Sequence, residues 1–183
     1  MTTTPSSLQT ITLGGGCFWC TEAVYVNVRG VEDVESGYCN GQVPNVSYEQ
    51  VCTGRTGHAE VVQLRFDPAQ ISLREILEIF FVVHDPTQLN RQGNDTGTQY
   101  RSGIYCGSEE QLREAQAFVD ELKASDAYDR PIVTEVVMRD NYVTAEEYHQ
   151  DFFAKNPYQG YCVAVAAPKV AKFRKTFARF AKG

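Results

Sequence analysis

Two thiols, the chain's single tryptophan and a run of three glycines coincide in Gly14-Gly15-Gly16-Cys17-Phe18-Trp19-Cys20-Thr21-Glu22. Apolar-polar alternation from Leu8 to Leu13 predicts a short strand before this stretch. The apolar spacing of Phe18, Ala23, Val24, Val26 and Val28 predicts a helix after it. Cys17 then stands at a strand-to-helix junction, where unpaired backbone N–H groups and the positive end of the helix dipole favour a thiolate. The expectation is a nucleophilic cysteine with a lowered pKa. The glycines permit backbone angles closed to other residues and a close approach of ligand to main chain. They do not form a phosphate loop, since no Gly-Lys-Ser/Thr follows and the third position after Gly16 is Trp19. A buried structural cysteine beside core aromatics is the alternative, because free cysteine is among the most buried residue types.

The elements that must position this stretch follow from pattern and punctuation. Residues 30–38 read as a turn and a strand, and 40–45 as a loop that Tyr48 closes. Residues 59–66 give the clearest strand, with Glu60 at its start and Asp67-Pro68 at its end, and Ser72 caps a helix from Leu73 to about Val83. Residues 84–102 form a long polar loop, a feature that is usually functional or disordered in a compact domain. A short strand near 104–106, a helix capped by Ser108, a strand from Ile132 to Met138 and a helix opening at Thr144-Ala145-Glu146-Glu147 come next. Val170, Phe173, Phe177 and Phe180 recur at helical spacing among lysines and arginines, predicting an amphipathic C-terminal helix over 168–181 with a solvated basic face. Helices and strands alternate, which gives an α/β order with a mixed sheet covered by helices.

With 183 residues and 43% hydrophobic content, the chain suits one domain over 1–183, with a flexible N-terminus over 1–7. The net charge of −6 and a pI near 5.1 argue against nucleic acid or an anionic membrane as partner. No basic leader and no run of eighteen apolar residues is present, so the expectation is a cytoplasmic, soluble protein, taken as a monomer. Six cysteines without a signal peptide read as reduced thiols used for chemistry or packing. No metal is expected, because Cys17-x-x-Cys20 lacks a second pair at zinc-site distance and Cys39 and Cys52 stand too far apart. His58, His84 and His149 read as structural, and no cofactor is expected.

Gly-Cys-Phe-Trp at 16–19, Thr56-Gly57-His58-Ala59-Glu60, His84-Asp85-Pro86-Thr87, Gln92-Gly93-Asn94-Asp95, Gln99-Tyr100-Arg101-Ser102 and Gly160-Tyr161-Cys162 occur together and in order. In this the chain resembles the peptide-methionine (S)-S-oxide reductases, the A-type methionine sulfoxide reductases, over nearly its whole length. The resemblance implies an α/β (α+β) two-layer sandwich with a mixed, largely antiparallel sheet and a ferredoxin-like core. It implies reduction of methionine S-sulfoxide, free or in oxidised proteins, with thioredoxin as electron donor and protein repair as the outcome. Carried over by motif, Cys17 is the nucleophile that becomes a sulfenic acid, and Glu60 is the proton donor. Phe18 and Trp19 line the pocket for the S-methyl group, while Tyr48, Asp95 and Tyr100 form its polar side.

The chemistry accounts for those residue types. A sulfoxide sulfur is a poor electrophile until its oxygen gains a proton or hydrogen bonds, so a thiolate must meet an acid on the opposite side. Glu60 can be that acid if burial raises its pKa, and tyrosine hydroxyls can donate to the same oxygen as charge develops. Methyl, oxygen and attacking sulfur then occupy fixed directions around a chiral centre, which selects one epimer. Two rivals stay open: a thioredoxin-like disulfide oxidoreductase using Cys17-Phe18-Trp19-Cys20, and a Cys-His hydrolase in which His84 or His149 reaches Cys17. For recycling, Cys162 matches the family's Gly-Tyr-Cys, whereas the basic helix replaces the glycine-rich tail that carries a further cysteine in some members. Asn156-Pro157-Tyr158-Gln159-Gly160 reads as a loop able to swing toward Cys17, so Cys162 is the expected resolving thiol, with Cys20 as the alternative.

Overall fold

The computed structural model describes residues 8–182, so the N-terminal stretch 1–7 lies outside the described residues. The chain runs through β1 (Gln9–Gly14), α1 (Phe18–Tyr25), β2 (Val31–Cys39), α2 (Tyr48–Cys52), β3 (Ala59–Phe66) and α3 (Leu73–Val83). A small hairpin, β4 (Arg91–Gln92) and β5 (Asp95–Thr96), and a 3-10 turn at Thr98–Tyr100 occupy the long polar loop. Then follow β6 (Gly103–Cys106), α4 (Glu109–Ala124), β7 (Glu135–Met138), β8 (Val143–Thr144), α5 (Phe152–Lys155), a π-helical turn at Cys162–Ala166 and α6 (Ala167–Thr176).

Six strands form one sheet in the order β7-β6-β1-β3-β2-β8, with every neighbouring pair antiparallel except β6 and β7. This is the expected mixed, largely antiparallel sheet. Side chains alternate across it, because successive residues of a strand point to opposite faces. Ile11 and Leu13 of β1, Val62, Leu64 and Phe66 of β3 and Ile104 of β6 join the helices in the main core. Cys39, Ala59, Val61 and Tyr105 face the other way, in a small cluster covered by Tyr142. Glu60 has the parity of Val62 and Leu64 and therefore belongs to the helix-covered face.

The helices are fixed by local chemistry. Ser72 accepts the Glu75 N–H while the Glu75 side chain accepts the Ser72 N–H, a reciprocal cap that starts α3 at the expected residue. Its apolar residues Leu73, Ile76, Leu77, Phe80 and Phe81 recur at helical spacing and are all buried. Ser108 caps α4 in the expected place by accepting the Gln111 N–H. α1 is buried on nearly every side, packed between the sheet and α6, so little of it can move independently.

Three expectations are corrected. The strand read from Ile132 begins only at Glu135, because the Val133 N–H bonds to the Pro86 carbonyl before the ladder with β6 starts. No helix opens at Thr144. Thr144 pairs with β2, the Ala145 N–H bonds to the Ser36 carbonyl, and Glu146 accepts from the Tyr38 hydroxyl and the Tyr48 N–H. These tertiary bonds hold the backbone extended and override local helix propensity. The C-terminal helix, read as 168–181, spans Ala167–Thr176; Phe177 leaves helical angles, and Ala178–Phe180 makes a 3-10 turn. The Lys182 N–H then bonds to the Asn27 carbonyl and Ala181 bridges to Val28, pulling the end of the chain against α1 and β2. Val170, Phe173 and Phe180 are buried and the basic residues after Lys169 are exposed, as the amphipathic pattern requires.

Candidate active site

Cys17 occupies the N-cap position of α1, directly after the left-handed Gly16 (φ +95°), where a Cβ would come within 2.7 Å of Gln92. Only glycine meets both the angle and the close approach. The Cys20 N–H closes the first turn on the Cys17 carbonyl at 3.1 Å, and the Cys17 thiol donates to the Cys20 sulfur. The expected lowering of the Cys17 pKa is not found. The Trp19 backbone N–H does act in that direction, but burial, the hydrogen bond given to Cys20 and the nearby Glu60 charge together raise it. The acidic member of the pair is Cys20, lowered to about 7 chiefly by the hydrogen bond it receives from Cys17. The first proton to leave belongs to the pair, and moving the remaining one across the hydrogen bond puts the thiolate on Cys17.

Glu60, 1% exposed, lies under the start of the helix. The parity of β3 turns it toward α1, and the Phe18 N–H donates to its Oε1 at 3.2 Å. Its Oε2 is buried without a partner among the described residues. Burial pushes the carboxyl up to about 8; the Phe18 N–H opposes this, and the charges of Asp95 and Cys20 add to it. At neutral pH Glu60 is a carboxylic acid with a proton to give.

The predicted aromatic and polar residues gather around this acid. Phe18 is buried against the rings of Tyr38, Tyr48 and His149, with centroids at 5.6, 6.4 and 5.0 Å. Trp19 stacks on Phe152 at 3.7 Å with only 4° between planes, and its indole N–H donates to His149 Nδ1 at 2.9 Å. Tyr48, set by the Ser47 cap of α2, and Tyr100, at the end of the 3-10 turn, are both half-buried. Desolvation first and the Glu60 charge second hold both phenols protonated. Asp95, on β5, accepts a hydrogen bond from the Tyr161 hydroxyl.

Cys162 is placed differently from the expectation. It is fully buried and opens the π-helical turn that runs into α6, with its N–H on the Gln159 side chain at 3.0 Å. The loop character read over 156–160 stops just short of it. Burial raises its pKa, and the neighbouring thiol whose charge it feels is Cys20.

Several residues at the site carried no role in the sequence reading. Tyr161 lies within the recognised Gly-Tyr-Cys and bridges Cys20 and Asp95; its position beside a cysteine was the available signal. Glu22, inside the opening motif, is buried and raised to about 7, mainly by desolvation, while it accepts from the Phe152 N–H and the Ser36 hydroxyl. It thereby fixes the residue on which Trp19 stacks. His149 accepts the indole N–H of Trp19. His84 is bonded to the Phe80 carbonyl and the Ser102 hydroxyl, and desolvation lowers it to about 4. A cavity of about 660 Å³ lined by Phe81, Asp85, Arg130 and Lys169 lies apart from Cys17 and Glu60.

A polarisable thiol pair facing a protonated carboxyl, with phenol donors and an aromatic wall, is equipped for two-electron thiol redox chemistry on a small polar group. The comparisons are more specific. The family model described as peptide methionine sulfoxide reductase matches residues 9–181, and the chain belongs to that family, in its A-type branch. It is 57% identical to the peptide methionine sulfoxide reductase MsrA of Polynucleobacter asymbioticus, over 93% of this chain and 90% of that one. Among solved structures it is similar to reduced Mxr1 of Saccharomyces cerevisiae, with a TM-score of 0.79, 39% identity, and coverage of 90% of this chain and 94% of that one. It is also similar to Mxr1 in complex with Trx2, with a TM-score of 0.55, 27% identity and coverage of 83% and 89%.

Proposed function

We propose that the chain works as one catalytic domain in the cytoplasm, reducing methionine S-sulfoxide, free or in oxidised proteins, and taking its electrons from thioredoxin. The observation that carries this is Glu60, a carboxyl kept protonated by burial and bonded to the first turn of the helix that presents Cys17. The S-methyl group lies against Phe18 and Trp19, and the sulfoxide oxygen turns toward Glu60, Tyr48 and Tyr100. Cys17 attacks the sulfur as Glu60 passes its proton to the oxygen. The hydroxyl then passes from the substrate sulfur to the Cys17 sulfur as the bond between the two sulfurs breaks, methionine leaves, and Cys17 is left as a sulfenic acid.

After burial, the neighbouring Asp95 carboxylate is what most helps Glu60 retain its proton. A second thiol converts the sulfenic acid to a disulfide with loss of water, and thioredoxin reduces that disulfide. The Mxr1–Trx2 complex supports this donor by analogy, and Cys162 is the thiol through which it acts. No helix among the described residues is long and apolar enough to cross a membrane. The test is NADPH consumption with thioredoxin, thioredoxin reductase and each epimer in turn. Turnover confined to the S-epimer is expected, and turnover of insulin disulfide without sulfoxide reduction would replace this reading with the disulfide oxidoreductase.

A further inference from the structure

Cys20 closes the first turn of α1 on the Cys17 carbonyl, whereas Cys162 belongs to a separate element, the π-helical turn before α6. The Cys17 thiol donates to Cys20. The Cys20 S–H in turn reaches the Tyr161 hydroxyl at 3.7 Å, and that hydroxyl donates to Asp95. Tyr161 is the residue before Cys162, so the bridge that orients Cys20 also ties Cys20 to the segment carrying the third thiol. We propose that Cys20 is an obligatory relay: it resolves the Cys17 sulfenic acid, and Cys162 then takes the disulfide from Cys20 before thioredoxin acts. This rests on the sulfoxide reductase reading and adds an order of electron transfer within it.

The steps balance. Cys20–SH and Cys17–SOH give a Cys17–Cys20 disulfide and water. Cys162, as thiolate, attacks the Cys20 sulfur; the Cys17–S bond breaks, Cys17 leaves as thiolate, and a Cys20–Cys162 disulfide remains. The thioredoxin dithiol reduces that bond and itself becomes a disulfide.

Each step suits its surroundings. Residues three apart in a helical turn share a face, so Cys20 meets the Cys17 sulfur after a small tightening of the turn. In the reduced pair Cys20 is lowered chiefly by the Cys17 hydrogen bond; once Cys17 is a sulfenic acid, the Lys169 charge and the Tyr161 hydroxyl remain beside Cys20 to favour its thiolate. Cys162 is fully buried and held by helical backbone, and the thiol whose charge it feels is Cys20. Cys17 is freed at the second step.

The experiment is a rapid-quench time course with one equivalent of methionine S-sulfoxide and no reductant, trapping thiols by alkylation and mapping disulfide-linked peptides. In the wild type a Cys17–Cys20 peptide should appear first and give way to Cys20–Cys162. Cys162→Ser should stop at Cys17–Cys20. Cys20→Ser should leave a dimedone-reactive Cys17 sulfenic acid that persists at least about tenfold longer than in the wild type. A Cys17–Cys162 peptide as the first disulfide of the wild type, or its formation at an undiminished rate in Cys20→Ser, overturns the relay. Methionine released by the wild type in the same samples separates the two ideas. Methionine with the wrong disulfide order removes only the relay, while no methionine removes the reductase reading itself.

Discussion

Cys17 and Glu60 are held by regular structure, one at the start of a buried helix and the other on a central strand whose parity aims it at that helix. Cys162 lies instead at the join between an exposed run, 154–160, and an irregular π-helical turn. The first region must hold a thiol, an acid and a sulfoxide in one geometry, and small displacements there cost rate. The second must present oxidising equivalents to another protein. Cys162 itself is fully buried, so this presentation requires a local opening of the turn that carries it, a smaller event than global unfolding. In the proposed account, sulfoxide reduction and the first thiol exchange belong to the region built on α1 and β3, and delivery of the disulfide to a partner belongs to the segment that carries Cys162.

Removing the nucleophile is the harshest test of this division. Cys17→Ser should release no methionine above the uncatalysed rate while keeping a cooperative unfolding transition, read by chiral analysis of the product and by circular dichroism. Cys162→Ser acts in the other region, and should lower steady-state, thioredoxin-dependent turnover far more than the first-turnover burst of methionine. Equal losses in both would erase the distinction.

A smaller effect is expected behind the aromatic wall. Phe152→Ala removes the ring stacked on Trp19, an interaction of about 0.5–1.5 kcal/mol beyond area burial, so KM should rise roughly 2- to 10-fold with less change in kcat. A fall in kcat alone would place Trp19 outside ground-state binding.

Stability should reveal the same buried acid. A carboxyl raised from its ordinary 4.5 to about 8 keeps its proton in the folded protein between those values, where the unfolded chain has released it. Its contribution is therefore whole below pH about 4.5 and is lost as pH rises through about 8. Glu60→Gln has no such proton, so its melting temperature relative to wild type should increase across that window and stay level above it. A difference independent of pH would mean that the carboxyl is ionised in the fold.

Much of the rigid region was legible from sequence, and the reason is local. Strand β3 and helix α3 are marked by apolar period, a proline stop and the Ser72 cap, and all three act within a few residues. The site residues came from several short motifs read jointly, since alone Glu60 is an acid at a strand start and Asp95 a turn residue. What escaped depends on distant partners. Burial of Cys17 outweighs its helix N-terminus, Glu146 is held out of helix by Tyr38 and Tyr48, and Tyr161 becomes informative only once Cys20 and Asp95 meet it. Cys162 was read as the end of a loop because nothing in the stretch 156–160 announces the helical turn that buries it.

The central claim, a thiolate at Cys17 opposed by a protonated Glu60, is tested most directly by the pH dependence of first-turnover methionine release in wild type and Glu60→Gln. The rate should rise as the thiol pair loses a proton near 7 and fall as Glu60 loses its own near 8. Glu60→Gln should lose roughly 10²–10⁴-fold at neutral pH together with the alkaline limb. A variant as fast as the wild type, or a wild-type rate that stays level through pH about 9, would contradict the account and move proton donation to a tyrosine or to water.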